Sequence, residues 1–375
     1  MKALIVSLNF NPGHFSHLIA SYKQCKELGF IPYLYIDKRF VAFIVDPEIN
    51  YFTSGNIPAQ FHKNDFLVFF WFPSVRNILE IIKFSIQSRS KYCYVFHEPF
   101  DSLINYYKSG FSYSKILKIV LVNLISLITV FLSSIVLLPS NKAYSLYYKH
   151  KNNLINKKAY LLPLLFDDEQ INSKQRIDDK KYFSYIGTVA EDHAFDEYLD
   201  FADHCITNNL LPQFKFLIAT KSQLNNYVSQ KKSLFNSDRI SVASGVPMSN
   251  EEINAYYAMS SVIWNAYHRT MQSGVLPKAF MFGTPVIALK KNENEFTHNY
   301  NNCILINDNK SEVEILGAAD YIFNHQAEFY NSCRQSFLNH FYYKNKNSDL
   351  QLILNKCDLN ILNEDKNEFK SNNRQ

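Results

Sequence analysis

The chain is 375 residues long, 47% hydrophobic and 15% aromatic, enough apolar material for two buried cores, which excludes a disordered or low-complexity protein. Its six cysteines (25, 93, 205, 303, 333 and 357) show no C-x-x-C spacing and no Cys/His cluster. Reduced thiols in a cytoplasmic protein are therefore expected, not a disulfide frame or a zinc site. The net charge of +5 divides unevenly: residues 1–165 carry 18 Lys+Arg against 8 Asp+Glu, the remainder 21 against 26. A basic first half suits an anionic surface such as a membrane, while the lack of an Arg-rich run or binding motif argues against nucleic acid.

Met1-Lys2 lead into six residues, ALIVSL, that read as a buried strand and not as a signal peptide. The loop NFNPGHFSH (9–17) follows, then a helix over 18–28 with apolar Leu18, Ile19, Tyr22, Cys25 and Leu28, capped by Gly29. A second strand over 31–36 completes the opening unit of a doubly wound fold, without a G-x-G-x-x-G fingerprint. Residues 65–72 read as a strand stopped by Pro73, and 77–86 as a helix. The strand 92–96 ends in His97-Glu98-Pro99. A histidine directly off the carboxyl end of a buried strand points into the crevice where α/β ligands bind; the alternative is a ring that caps a turn. Residues 116–138 are long and apolar enough to cross a bilayer, which takes roughly 20 residues. Ser133-Ser134 divide the stretch, however, and 135–138 before Pro-Ser read as the next strand. With Lys115 and Lys118 at its head, the preceding helix also suits a membrane interface. A helix over 142–148 follows, and the domain boundary is expected near Leu165.

The second domain, 166–345, opens on a strand (183–186) ending in Gly187-Thr188. A strand over 214–219 leads to Lys221, and one over 239–242 to the loop Ala243-Ser244-Gly245-Val246-Pro247. The stretch Trp264–Leu289 reads as strand end, polar turn, helix, Gly283-Thr284-Pro285 stop, and strand: one parallel β/α unit. Its turn, Ser273-Gly274-Val275, lies at the amino end of a helix, where free N–H groups and the dipole favour an anion. Helices near 311–340 close the domain. Residues 346–375 form a carboxyl-terminal helix and a polar tail that reads as disordered from about 363.

This order and spacing resemble the GT-B glycosyltransferases, in particular the retaining glycosyltransferase family 4. The family's donor signature has a Glu, seven residues, a second Glu, a small residue, an apolar pair and G-x-P-V-I-A. Ala279, Gly283, Pro285, Val286, Ile287 and Ala288 match it, whereas the two Glu positions fall on Thr270 and Lys278. The Gly-Arg and Lys that neutralise a donor diphosphate in the family are also missing: Thr188 stands for the first, and AEDHAFDE (190–197) offers no lysine.

The resemblance implies an α/β fold of two Rossmann-like domains facing across a cleft. It implies a glycosyltransferase of the hexosyltransferase type, moving a sugar from a nucleotide sugar to an acceptor hydroxyl with retention. Without a D-x-D motif, no metal and no cofactor are expected. The acceptor is expected to be lipid-linked or a growing bacterial surface polysaccharide such as capsule, handled at the inner face of the plasma membrane. By resemblance, His97 and Glu98 serve catalysis and Gly13, His14 and His17 face the acceptor. Gly187, Thr188, Lys221, Gly245, Val246, Arg269, Thr270, Ser273, Gly274, Val275 and Lys278 line the donor. Lys221, Arg269 and Lys278 are the available replacements for the missing cations; Lys278 reads equally as a solvated helix lysine. The competing readings are a non-catalytic GT-B-like subunit and a GT-B-fold sugar-nucleotide epimerase.

Overall fold

The computed structural model describes residues 1–53, 66–71, 79, 91–149, 158–172, 180–269 and 273–357. The chain divides into two compact units. Met1–Phe100, Lys118–Asp167 and the chain from Tyr342 make the first; Asp101–Leu117 and Asp168–Phe341 make the second.

In the first unit seven strands form one sheet: β1 (Lys2–Ser7), β2 (Ile31–Ile36), β3 (Tyr51–Thr53), β4 (Phe66–Trp71), β5 (Lys91–Val95), β6 (Ile135–Leu138) and β7 (Lys158–Leu161). Their order is β3-β2-β1-β4-β5-β6-β7 and every pairing is parallel. A parallel sheet is covered on both faces, so its strands are apolar on both sides. In β1, Ala3 and Ile5 enter one core with Leu18, Cys25 and Leu34, while Leu4 and Val6 enter a second with Tyr35, Tyr94 and Val136. Helix α1 (Phe15–Glu27) covers the first face, turning Leu18, Tyr22 and Cys25 inward at helical spacing. The helix expected over 77–86 lies outside the described residues. Between β5 and β6 run α2 (Leu103–Lys108) and α3 (Tyr113–Leu132), and α4 (Asn141–Lys149) follows β6. The carboxyl-terminal helix Asn347–Asn355 inserts Leu350, Ile353 and Leu354 into the first core. The tail beyond 357 is outside the described residues.

The second sheet has β8 (Tyr182–Ile186), β9 (Lys215–Thr220), β10 (Ile240–Ser244), β11 (Ser260–Asn265), β12 (Val286–Leu289) and β13 (Cys303–Ile306), ordered β10-β9-β8-β11-β12-β13 and again all parallel. Its helices are α5 (Phe195–Thr207), α6 (Asn225–Gln230), α7 (Lys232–Phe235), α8 (Asn250–Met259), α9 (Val275–Met281), α10 (Glu312–Asn324) and α11 (Gln326–His340). Aromatic rings fill one core: Phe183, Tyr185, Phe195, Tyr198, Phe201 and Trp264 are all buried there. Their polar atoms are satisfied by backbone, as burial requires. Tyr198 Oη donates to Phe183 O at 2.7 Å and Trp264 Nε1 to Ala194 O at 3.0 Å.

The boundary differs from the expectation in three places. The break falls between Asp167, paired with Lys23 (2.5 Å) in the first unit, and Asp168, paired with Arg334 (2.7 Å) in the second. Leu164 and Leu165 are thus core residues of the first unit. Residues 101–117 pack with the second unit although the chain enters and leaves them from the first sheet. Tyr342 and Tyr343 belong to the first unit, where Tyr343 is buried.

The Gly-Thr-Pro stop after α9 is enforced by packing as well as by conformation. Gly283 sits at φ +63°, and a Cβ there would lie 2.2 Å from the Tyr330 ring. Gly283→Ala combines a left-handed alanine with overpacking and should cost about 3 kcal/mol. Urea unfolding would read this as a lower midpoint at unchanged slope.

Candidate functional site in the second unit

In a sheet of this order the chain reverses direction between β8 and β11, and the loops leaving their carboxyl ends diverge to make a ligand crevice. The loop after β8 begins at Gly187, whose N–H donates to Ala219 O at 3.0 Å and whose φ of +151° favours glycine. A Cβ there would stand 3.5 Å from Tyr267 Oη and 3.9 Å from Val275 Cγ2. Gly187 therefore lies against both the end of the β11 loop and the first turn of α9. Thr188 is exposed, and its carbonyl accepts from Tyr185 Oη (2.8 Å) and His193 Nδ1 (2.6 Å). The His193 ring stacks on Tyr267 at 4.3 Å and 8°.

Past Tyr267, His268 lies beside a short ion-pair cluster. Its Nε2 is 3.0 Å from Glu197 Oε1, and Lys310 Nζ is 2.6 Å from the same oxygen. Burial alone would raise the Glu197 carboxyl, but the bonds from His268 and Lys310 outweigh it and pull it down to about 2.

Arg269 is buried, with 7% of its surface exposed. Its guanidinium lies over the Tyr106 ring at 4.7 Å, and Nη2 donates a long bond to Tyr106 Oη (3.4 Å). The nearest carboxylate oxygen, Asp101 Oδ2, is 3.7 Å from Nε, too far for a hydrogen bond. Asp101 Oδ1 is taken by Ser102 N (2.7 Å) and Asn105 Nδ2 (2.8 Å). Among the described residues Arg269 Nε has no hydrogen-bond partner. A buried donor without a partner is a group that a ligand can satisfy.

The other expected donor residues are distributed differently. Thr270 lies outside the described residues. Ser273 Oγ accepts from Val275 N at 3.1 Å, so the hydroxyl serves the helix start itself. Gly274 has φ −63° and requires no left-handed backbone, and α9 is only seven residues long. Lys221 is exposed just past β9. Gly245, at φ +87°, donates to Ser222 O and accepts from Gln223 Nε2, leaving Val246 65% exposed.

Lys278 is neither the solvated lysine nor a free cation. It is buried, and its Nζ donates to Glu169 Oε2 (2.7 Å), Asn254 Oδ1 (2.8 Å) and Asn250 Oδ1 (3.1 Å). Asn250 and Asn254, one turn apart on α8, also donate to the Glu169 carboxylate. All three ammonium hydrogens are thereby used. Burial favours the uncharged form of both partners, but Lys278 and the two amides together hold Glu169 below its usual range.

In the first unit, His97 and Glu98 follow the carboxyl end of β5, with Nδ1 3.8 Å from Oε1 and Glu98 largely exposed. Gly13 and His14 occupy a short 3₁₀ turn after β1, where Asn11 accepts from Gly13 N and bonds the His14 ring at 2.8 Å. His17 does not reach a loop surface. It is 3% exposed, donates from Nδ1 to Leu165 O at 3.0 Å and packs edge-on to Phe166 at 4.3 Å. Helix α1 begins earlier than the sequence suggests and rotates this residue into the core. Asp101, Tyr106, Glu197 and Lys310 carry no sequence signal of their own: Asp101 follows His97 by four residues, but no local pattern ties it to Arg269.

Two measurements check this assignment. Lys278→Ala strands the Glu169 carboxylate and should destabilise the protein by roughly 3–5 kcal/mol, whereas Lys278→Met with Glu169→Gln removes both charges and should recover at least half. Glu197, lowered from 4.5 to about 2, stabilises the fold fully above the unfolded-state value and loses this as pH falls toward 2. The stability gap between wild type and Glu197→Gln should be flat at neutral pH and close between pH 4.5 and 2 in an acid unfolding series.

No protein-family model and no curated protein matches this chain. Solved structures do. Sucrose-phosphate synthase from Thermosynechococcus elongatus superposes with a TM-score of 0.67 at 11% identity, over 95% of this chain and 99% of that one. HepE from Anabaena, in complex with UDP-glucose, gives 0.67 at 12% identity, over 95% and 100%. The pneumococcal O-GlcNAc transferase GtfA, in complex with UDP and GlcNAc, gives 0.62 at 10% identity, over 96% and 99%. At such identities the likeness is one of fold: the chain is an α/β protein of the GT-B fold, with two Rossmann-like units built on all-parallel sheets.

Proposed function

We propose that the protein is a glycosyltransferase that binds a nucleotide-diphosphate sugar at the β8/β11 edge of its second sheet and transfers the sugar to an acceptor hydroxyl. A uridine-diphosphate sugar is the favoured donor, because HepE and GtfA are seen with UDP and sugars. The observation that carries the reading is Arg269. A buried arginine with an idle Nε, at the end of a switch-point strand, supplies the charge that a departing diphosphate needs. It takes over the role expected of Lys278, whose donors are all occupied.

The finer parts of the reading rest on resemblance. Hexosyl transfer proceeds with retention, and without a metal because the sequence holds no D-x-D motif. His97 faces the transferred sugar, with Glu98 beside it, and Gly13 and His14 border the acceptor. The acceptor is a saccharide, lipid-linked or on a growing surface polysaccharide, and the protein works in the cytoplasm at the membrane's inner face. The non-catalytic reading keeps one specific support, the loss of both signature Glu residues to Thr270 and Lys278.

Calorimetric titration with UDP, GDP, ADP and CMP tests the proposal. One nucleoside diphosphate should bind, and Arg269→Gln should weaken it by roughly ten- to a hundredfold, the worth of one charge-assisted contact. Binding untouched by that change would move the cation to Lys221. Binding of none would leave the non-catalytic subunit as the better reading.

A further inference from the structure

Helix α3 turns an apolar stripe outward. Along it Leu117, Leu121, Leu124, Ile128 and Phe131 are exposed, each 47–62%, at the four- and three-residue spacing of one helical stripe. The buried side mixes Ser126 and Thr129 with Ile116 and Val130, and Ser133 lies just past the last turn. The three hydroxyls are closed on the helix's own carbonyls, Ser126 to Val122 O (3.0 Å), Thr129 to Ile125 O (3.0 Å) and Ser133 to Val130 O (2.8 Å). A helix on the surface of a water-soluble domain turns charged and polar residues outward instead. From residue 119 to 132 there is no charged side chain at all.

The surrounding charge says what covers this face. Between residues 102 and 165 the chain has no Asp or Glu and eight lysines. In the first turns of α3 Lys118 is exposed, while Lys115 pairs with Glu191 (2.5 Å). An apolar stripe headed by the exposed Lys118, in a stretch of chain without a carboxylate, matches an anionic lipid surface, apolar to acyl chains and ammonium to headgroups. At 20 residues α3 is long enough to cross a bilayer. Its ends forbid it: β5 and β6, joined through α2 and α3, are neighbours in one sheet, and Ser134 N donates to Tyr92 O at 2.8 Å. A span would pull β6 from the sheet, so the helix lies in the membrane plane.

We propose that α3 is a monotopic membrane-docking element that seats its Leu117–Phe131 stripe in the interface of an anionic bilayer. The inference is independent of the donor-site reading, and its test uses no nucleotide. The full chain is floated with vesicles of phosphatidylcholine alone and of an equal mixture with phosphatidylglycerol, at low and high salt. Wild type should bind the anionic vesicles in a salt-sensitive way. Replacing Leu121, Leu124 and Ile128 together with Asn should lower that binding by roughly tenfold or more, and Lys118→Glu by less. All four are exposed, so circular dichroism and the thermal transition should stay as in wild type. Failure of wild type to bind anionic vesicles would overturn the proposal, as would a triple variant that binds equally well. So would sedimentation velocity showing a wild-type dimer that the triple variant dissolves, since the stripe would then be covered by a second copy.

Discussion

Two hydrogen-bonded parallel strands whose crossovers lead away to opposite faces of a sheet cannot both cover their carboxyl ends. In the second unit β8 and β11 are that pair. Everything assembled at this edge follows from the constraint. Gly187 admits Tyr267 and Val275 next to the backbone, Tyr267 carries the His193 ring, and Arg269 leaves β11 with nowhere to go but under Tyr106. The arginine is covered by Tyr106 from the segment 101–117, and its Nε stays unbonded because Asp101 Oδ2 stands 3.7 Å away.

The contrast between Arg269 and Lys278 shows how burial alone misleads. Both are less than a tenth exposed. Lys278 meets a carboxylate and two amide oxygens at bonding distance, so its charge is consumed in joining α8, α9 and the chain near Glu169. Arg269 meets a ring face and a carboxylate beyond bonding range. The first arrangement uses every donor it has; the second leaves Nε without a hydrogen-bond partner among the described residues.

Much of the fold was legible because parallel strands need apolar residues on both sides and Gly or Pro at their ends. The strand ending at Gly187, the Gly283-Thr284-Pro285 stop and the division at Ser133-Ser134 all announced themselves locally. The ion pairs did not. Lys278 meets Glu169 from 109 positions away, and Arg269 meets Tyr106 from 163; no period or spacing encodes such a meeting. His17 was misplaced for a local reason, a helix start a few residues earlier than the apolar pattern suggests, which is enough to turn a ring from solvent to core. The loops after β8 and β11 are legible from the Gly and polar residues that end the strands, yet how each of their cations is bonded is a property of three-dimensional neighbours.

The division of the chain has a consequence for its synthesis. Residues 101–117 leave the ribosome with the first unit but find their packing partners only in the second, and the first core receives Leu350, Ile353 and Leu354 after the second unit has been made. Neither unit is therefore complete when its own main stretch has emerged. The nascent chain must carry an open first core, with α3 already apolar outward, until nearly all of it is free. An exposed apolar helix beside an unfinished core is also a surface on which other chains can settle, so aggregation competes with completion of the fold until Leu350, Ile353 and Leu354 arrive.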